Sequence, residues 1–298
     1  MKLQEIDVIL GVYNGEEYLA DMLQSLKSQK GVLINLIVTD DGSLDSSVSI
    51  VRSFSNAFNS LVIVNGPRHG PAENFFSALK FSNSAYVAFA DQDDIWRDDH
   101  LVNSIARLQK FDLQPALTFC AVQEFKTSSS KVRKWPKKHP SLELAALISE
   151  NPARGCTIVM NKKATMTLRN SNPRNAIMHD WWALLLIKLV GKVVYSDSQE
   201  VRYRIHQKSV TYGSRKFVSR FTRLHSSING LWSPELQLNS VLENIDIENL
   251  DSKSTKQIML FTSLPKRSII FYRKRLRMRL LDEIAIRFLL MIRKKTNE

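Results

Sequence analysis

Apolar runs and amphipathic segments alternate along the first 125 residues of the chain. Short β-rich runs lie at residues 6–12, 32–39, 61–64 and 85–90. Segments with apolar side chains at helical spacing lie between them, at residues 16–29, 46–54 and 72–81. Near-continuous apolar strands separated by helices are typical of a mostly parallel sheet covered on both faces. The pattern therefore predicts an α/β fold with its ligand site at the carboxyl ends of the strands.

Acidic side chains follow two of these predicted strands. Asp40 and Asp41 come directly after the second strand, and Asp91, Asp93 and Asp94 follow the fourth. A diphosphate would be repelled by these carboxylates unless a cation lay between them, and Mg²⁺ or Mn²⁺ is commonly held by carboxylates together with substrate phosphates. The sequence thus predicts a divalent metal at this edge of the sheet. For the first cluster the alternative is a turn that caps a helix at residue 43.

Several motifs occur in a fixed order around these acids. They are YN at 13–14 with EYL at 17–19, DDGS at 40–43, GPAENF at 70–75 and DQDDIW at 91–96. This set resembles the family-2 glycosyltransferases, which have a GT-A fold, and within them the rhamnosyltransferase-like branch. One departure is the Gly11-Val12 pair, which stands where the family usually has a small hydroxyl residue. The resemblance extends over roughly residues 5–212 and implies a GT-A nucleotide-sugar-binding domain with a mixed, mostly parallel sheet over residues 1–212.

The resemblance also implies roles for individual residues. The nucleotide would contact Tyr13, Asn14, Asp40, Asp41, Asn74 and Asp91. The metal would be held by Asp93 and by His206 of the YRxHxxS motif at 203–209, although an exposed strand-end histidine is an alternative for His206. Contacts with the donor or acceptor would come from Asp94, Trp96, Gly155, His179, Trp181 and Arg204.

A candidate general base opens a later apolar segment. Asp180 lies at the start of a predicted helix that runs to Val190. A carboxylate in the first turn of a helix is favoured by the free N–H groups and the helix dipole, so a helix cap alone would explain it. The resemblance implies that Asp180 is the catalytic base of an inverting transfer, with His179 in the place of the family's usual first acid.

The positive charge of the chain is concentrated at its end. Lys and Arg number 42 against 29 Asp and Glu, a net charge of +13, and residues 266–298 contain 11 Lys or Arg against three acids. Apolar residues are interleaved there at near-helical spacing, so we predict a helical, basic, amphipathic C-terminal extension over residues 213–298. Residues 266–298 would either contact an anionic membrane surface or pack an apolar stripe on the catalytic domain or on a second subunit of a homo-oligomer.

Composition and motifs limit the class of protein and its compartment. The chain has no helix-turn-helix, zinc-finger or RNA-binding signature, so we expect no nucleic-acid partner. The chain has only two cysteines, and we see no secretory signal and no apolar stretch long enough to span a membrane. We therefore expect a cytoplasmic protein, either free or peripheral on the inner face of a bacterial cytoplasmic membrane. The acidic strand ends also suit a metal-dependent nucleotidyl or phosphoryl transferase, which is the alternative enzyme class.

The residues leave the substrates open. The resemblance favours dTDP-rhamnose as donor, with a UDP-sugar as the alternative. By the same analogy, the acceptor would be a saccharide or a lipid-linked oligosaccharide of the cell surface.

Overall fold

The computed structural model describes residues 3–173, 176–206, 234–262, 272–280, 282–284 and 286–287. Within these ranges the strands are β1 Gln4–Val12, β2 Val32–Asp40, β3 Ser60–Asn65, β4 Tyr86–Asp91, β5 Ile95–Trp96, β6 Ala116–Lys126, β7 Ser129–Trp135, β8 Val159–Asn161 and β9 Lys192–Arg204. The α-helices with assigned bounds are α1 Leu19–Lys27, α2 Ser47–Ser53, α3 Pro71–Ala78, α4 His100–Leu108, α5 Leu144–Ser149, α6 Lys162–Arg169, α7 His179–Val190, α8 Pro234–Leu242 and α9 Ser252–Thr262.

The strands form one mixed sheet with the order β3-β2-β1-β4-β8-β6-β9-β5, and β7 pairs with β6 at the side of this path. The first four strands of the order are parallel. The chain adds β2 and β3 on one side of β1 and then returns to place β4 on the other side. This reversal creates a crevice beyond the carboxyl ends of β1 and β4, which is where open α/β sheets bind ligands.

Both faces of the sheet are covered, as the alternating side chains of β1 illustrate. Val8 and Leu10 pack in one core with α1, α2 and α4, while Ile9 packs in the other with α3 and α5–α7. The large side chains Phe89, Phe119 and Trp182 are fully buried. Burial of a Leu- or Phe-sized side chain contributes about 1.5–3 kcal/mol, so these two cores hold the strand ends in fixed positions.

The seven elements predicted from the N-terminal pattern are all present. Their bounds differ by at most three residues, at the start of α1, which is Leu19 rather than residue 16, and at the end of α3, which is Ala78 rather than residue 81. The predicted α7 begins at His179 and ends at Val190. The β6–β7 hairpin was not predicted, whereas the three-residue strand β8 lies where an apolar strand is expected after the loop at 151–157. The expected mixed, mostly parallel α/β architecture is confirmed.

Helices α8 and α9 confirm that the C-terminal extension contains helices. They pack beside α7 through Leu238, Val241, Ile258 and Phe261, which share its core. The predicted boundary at residues 212 and 213 and most of residues 266–298 lie outside the described residues. Of the described part of that tail, Leu276 and Ile286 are buried in the same core, as the packing alternative requires, while Leu280 and Ile284 are exposed. Among the described helices, none is long and apolar enough to cross a membrane.

Candidate functional site

The predicted site residues meet at the crevice between β1 and β4. The register places Gly11 of β1 opposite Thr39 of β2 on one side and opposite Asp91 of β4 on the other. The loops that follow these three strands carry Tyr13, Asp40 and the acidic cluster. The strand ends therefore bring together three motifs that are up to about 80 residues apart in the sequence.

The loop after β1 is fixed from two sides and leaves one aromatic ring exposed. The backbone of Tyr13 exchanges two hydrogen bonds with the Gln92 side chain, each 2.9 Å long. The Asn14 N–H donates to Ser43 Oγ, and the Asn14 side-chain oxygen accepts from the Leu44 N–H. Asn14 has a positive φ of 47°, a conformation that asparagine tolerates better than most residues. The Tyr13 ring, 58% exposed, is left free to contact a planar ligand.

The loop after β2 is built from carboxylate and amide hydrogen bonds. Asp40 accepts from the N–H and hydroxyl of Ser43, while Asp41 accepts from the backbone N–H groups of Arg68 and Gly70. The helix-cap alternative for Ser43 is wrong, because α2 begins at Ser47 and Ser43 instead closes the turn on Asp40. Asp41 therefore braces the loop that precedes α3.

Asn74 is buried behind this loop rather than open to the crevice. Its side-chain oxygen accepts from Thr39 Oγ1 at 2.6 Å, and its amide nitrogen donates to the Thr39 carbonyl at 3.1 Å. Only 4% of the residue is exposed. Both polar atoms of the Asn74 side-chain amide are thus hydrogen-bonded to Thr39 at the end of β2. This indicates that Asn74 holds the loop after β2 in place rather than contacting a ligand.

Negative charge is concentrated in the loop after β4. Burial, together with the charges of Asp93 and Asp180, raises the pKa of Asp91 to about 8. Burial and the neighbouring carboxylates of Asp93 and Asp91 raise the pKa of Asp94 as well. The Asp93 Oδ2 atom lies 2.6 Å from Nε2 of His206. An opposite charge, such as that of a cation, would favour the ionised forms of Asp91 and Asp94.

The donor set at this loop fits a hard divalent cation. Asp91 and Asp93 offer carboxylate oxygens and His206 offers an imidazole nitrogen, all ligands that Mn²⁺ accepts, with Mg²⁺ preferring the oxygens. At this end of the sheet, the three ligand atoms that lie within 4.8 Å of one another among the described residues are those of Asp91, Asp94 and Cys156. That second set fits less well, because burial raises the pKa of the Cys156 thiol well above its usual value and Asp94 already accepts from the Arg204 N–H.

Arg204 and Trp96 support the acidic loop from behind. The Arg204 guanidinium, 5% exposed, donates to the Asp93 carbonyl and pairs with Asp21 at 3.0 Å. The Trp96 side chain is 3% exposed, and its ring lies 4.7 Å from that of His100. Asp94 is also fully buried. For these three predicted donor or acceptor contacts, the structure favours positioning of the loop over direct contact with a ligand.

The first turn of α7 forms the opposite wall of the crevice. Asp180 is 6% exposed, and its charge acts on Asp91. The His179 ring stacks on Phe75 with centroids 4.0 Å apart, and within the described residues neither ring nitrogen has a hydrogen-bond partner. Burial lowers the pKa of His179, so the ring is neutral at pH 7. Trp181 is turned inward, where its indole N–H donates to the Leu147 carbonyl at 2.7 Å.

Residues 7–169 match the family model described as "Glycosyl transferase family 2". The chain belongs to this family. Its members are inverting glycosyltransferases, so the expected enzyme class is confirmed.

The names of two relatives of this glycosyltransferase mention dTDP-rhamnosyl transfer and teichuronic acid biosynthesis. The "dTDP-rhamnosyl transferase RfbG" of Shigella flexneri is 26% identical over 235 residues, which cover 72% of this chain and 78% of the relative. The "Putative teichuronic acid biosynthesis glycosyltransferase TuaG" of Bacillus subtilis is 23% identical over 229 residues, 76% of this chain and 89% of the relative.

Solved structures confirm the GT-A-like fold of the glycosyltransferase. Residues 1–349 of Staphylococcus aureus TarS, in complex with UDP-GlcNAc, superimpose with a TM-score of 0.59 at 18% identity, over 87% of this chain and 71% of that TarS chain. The mannosyltransferase PcManGT of Pyrobaculum calidifontis, in complex with GDP-Man and Mn²⁺, gives a TM-score of 0.55 at 15% identity, over 91% and 79% of the two chains.

Sequence reasoning missed one cation in the glycosyltransferase site. The Arg154 guanidinium lies 4.0 Å from the Trp135 ring and 5.0 Å from the Tyr203 ring. It is 3.5 Å from Glu124, and its charge lowers the pKa of Asp91. The only signal in the sequence was the glycine-bearing loop at 151–157 ahead of an apolar strand. The Arg154 side chain is positioned by contacts with side chains of β6, β7 and β9. The sequence pattern did not predict that these strands pair.

Proposed function

We propose that this chain is a metal-dependent, inverting glycosyltransferase that moves rhamnose from dTDP-rhamnose to a hydroxyl group of a saccharide acceptor. The observation that supports the proposal is that Asp180, in the first turn of α7, lies near enough to Asp91 for its charge to raise the pKa of that carboxyl. A carboxylate and a cation site on opposite sides of one crevice suit the two needs of the reaction. One is to remove a proton from the acceptor, and the other is to offset charge on the leaving diphosphate.

The nucleotide lies over the ends of β1 and β2 in this proposal. The exposed Tyr13 ring stacks on the base, and the Asp40 carboxylate accepts hydrogen bonds from the base or the ribose. Asn14, Asp41 and Asn74 hold these groups in place through the loop bonds described above. The diphosphate then extends from β2 toward the end of β4, where Asp91 and Asp93 lie.

Asp93, His206 and Asp91 hold the divalent cation. When bound, this ion acts as a Lewis acid that neutralises negative charge on the departing diphosphate. Arg204 fixes the backbone of Asp93, so the carboxylate stays directed at His206. The Mn²⁺ bound by PcManGT together with GDP-Man supports a site of this kind.

Asp180 acts as the general base. It accepts the proton of the acceptor hydroxyl while that oxygen attacks the anomeric carbon and the bond to the diphosphate breaks. General base catalysis typically contributes about 10²–10⁴-fold to the rate. Attack from the side opposite the leaving group inverts the configuration of the sugar. The neutral His179 and Gly155 hold the first turn of α7, and thus Asp180, against the sheet.

The choice of sugar and acceptor is supported by the names of the relatives. RfbG is named a dTDP-rhamnosyl transferase, which favours dTDP-rhamnose, while the UDP-GlcNAc bound by TarS represents the alternative nucleotide. The teichuronic acid relative supports a polysaccharide or lipid-linked oligosaccharide acceptor. Such an acceptor places the enzyme in the cytoplasm, at the inner face of the membrane.

A panel of donors tests the proposal. The full chain is incubated with Mn²⁺ and dTDP-rhamnose, UDP-GlcNAc or GDP-mannose, and the released nucleotide is identified by chromatography. Release of dTDP from dTDP-rhamnose, abolished in Asp180→Asn, is the expected result. Release of pyrophosphate would instead favour a nucleotidyl transferase. Release of UDP alone would retain glycosyl transfer and overturn the assignment of the sugar donor.

A further inference from the structure

A cavity of about 120 Å³ lies between the segment that precedes α5 and the described residues near the C-terminus. Its lining includes Lys138, His139, Glu150, Arg275 and Arg277. It shares no residue with the crevice at the ends of β1, β2 and β4. Pockets for whole small molecules measure about 300–1,000 Å³, so this volume suits a single small group rather than a nucleotide.

The charges that line the cavity are mostly positive. Lys138, Arg275 and Arg277 supply three cations against one carboxylate, that of Glu150. Glu150 is already engaged, since its Oε2 atom accepts from the Met278 N–H at 2.8 Å. The lining itself therefore carries an excess of two positive charges, and the carboxylates of Asp282 and Glu283 lie near Arg277 outside the lining.

The backbone of the C-terminal segment is fixed in a way that directs its side chains to the cavity. Glu283 Oε2 accepts from the N–H groups of Leu276 and Arg277, at 2.7 and 2.6 Å. The other oxygen of Glu283 pairs with Arg287 at 2.7 Å. Leu276 is buried in the core beside α7. The positions of Arg275 and Arg277 are therefore determined by several contacts of the main chain and of their neighbour.

Arg277 is half-buried at the cavity and has no ion-pair partner among the described residues. Burial lowers its pKa, although Glu150, Asp282 and Glu283 act on it in the opposite direction from nearby. Within the described residues its guanidinium makes no hydrogen bond or ion pair, and its Nε atom is buried without a partner. An arginine keeps its proton under these conditions, so an anion in the cavity would offset part of the cost of taking the guanidinium out of water.

We propose that this cavity is a binding site for a phosphate group, separate from the donor site. Arg277 offers paired N–H donors to two phosphate oxygens, the geometry in which guanidinium binds phosphate best. Lys138 and Arg275 supply further charge at the mouth. The inference goes beyond sugar transfer and does not depend on which donor is used.

Calorimetric titration of the full chain with inorganic phosphate tests the site. We expect saturable binding that the double variant Lys138→Gln, Arg275→Gln weakens at least about tenfold, which corresponds to about 1.4 kcal/mol. The matched control is Lys137→Gln, Arg273→Gln, which removes two exposed cations next to the site but outside its lining. Arg277→Met should weaken binding further, and the double variant keeps the test valid if Arg277→Met does not fold.

Two results would overturn the proposal. One is the absence of saturable phosphate binding by the unaltered chain, and the other is an equal loss of affinity in the two double variants. A second arm uses phosphatidylcholine vesicles with and without phosphatidic acid. If the Lys138→Gln, Arg275→Gln variant loses vesicle binding and the control variant does not, the source of the phosphate is a lipid headgroup. If vesicle binding is unchanged while binding of inorganic phosphate is weakened, the source is a soluble phosphate group.

Discussion

Gly155 and His179 are packed so closely that a Cβ atom on Gly155 would lie 2.7 Å from the His179 Nε2 atom. The imidazole cannot retreat, because its ring stacks on Phe75 and meets Phe89 edge-on at 5.3 Å. His179 begins the helix whose next residue is Asp180. A glycine in the loop ahead of β8 thus fixes the position of the proposed base.

Gly155→Ala should displace the first turn of α7. Overpacking of this kind typically costs about 1–3 kcal/mol, and we expect a loss of this size in the free energy of unfolding, together with a lower kcat. Chemical denaturation and steady-state kinetics measure the two effects. Adding His179→Ala removes the group that the new methyl group meets, so the two stability losses should be less than additive. Additive losses would show that the two residues are not coupled.

Asp180→Asn should retain donor binding and lose transfer. The amide keeps the size of the carboxylate but cannot take the proton of the acceptor hydroxyl, so we expect kcat to fall by about 10²–10⁴-fold. Donor affinity is measured by titration and transfer by release of nucleoside diphosphate. Asp112→Asn alters an exposed acid and serves as the control. Normal turnover of Asp180→Asn would remove Asp180 from the mechanism.

Removal of the divalent metal should abolish transfer, and added Mn²⁺ or Mg²⁺ should restore it. Independently of activity, Asp93→Asn and His206→Ala should each weaken Mn²⁺ binding at least about tenfold, as measured by electron paramagnetic resonance. His69→Ala, which alters an exposed histidine, is the control for His206. Full activity in the presence of chelator, or unchanged Mn²⁺ affinity in both variants, would contradict the assignment.

The first half of the fold was predictable because its strands are long apolar runs with helical segments between them. Strand β7 was not, because residues 129–132 at its start are exposed and carry no apolar alternation. Strand β8 has only three residues, too few to show any period, so only the loop at 151–157 and the apolar residues after it indicated this strand. The pairing of β6 with β9, in turn, is a contact between residues about 75 positions apart, which no local pattern records.

The candidate site was predictable where its side chains follow strand ends, as Asp40 and Asp91 do. The supporting contacts were not, because they join distant segments. Arg204 connects the Asp93 carbonyl with Asp21 and Thr127, and its motif alone suggested a ligand contact. The pairing of Asp93 with His206 could be anticipated only through the family resemblance.

Arg154 should be needed for its planar guanidinium as well as for its charge. Arg154→Lys keeps the cation near Asp91 but loses the stacking on Trp135 and Tyr203, so we expect an intermediate loss of kcat/KM. Arg154→Met removes the cation and should cause the larger loss. Arg133→Lys, at an exposed position on β7, is the control. Equal activity of Arg154→Lys and the unaltered chain would show that charge alone is sufficient, and full activity of Arg154→Met would exclude a role in transfer.

Glu200 should make the stability of the protein depend on acid pH. Burial raises the pKa of Glu200, but hydrogen bonds from Arg107 at 2.7 and 2.8 Å and the contact with His100 outweigh it and lower the pKa to about 2. The folded state therefore binds this proton less readily than the unfolded chain. The contribution is complete above about pH 4.5 and is lost as the pH falls toward 2. We expect about 2–3 kcal/mol of unfolding free energy to disappear over this interval.

Urea denaturation at several pH values should show a shallower decline of the unfolding free energy for Glu200→Gln than for the unaltered chain. Glu248→Gln, at an exposed position, should show the same decline as the unaltered chain. Parallel declines for all three proteins would assign the acid sensitivity to other carboxylates.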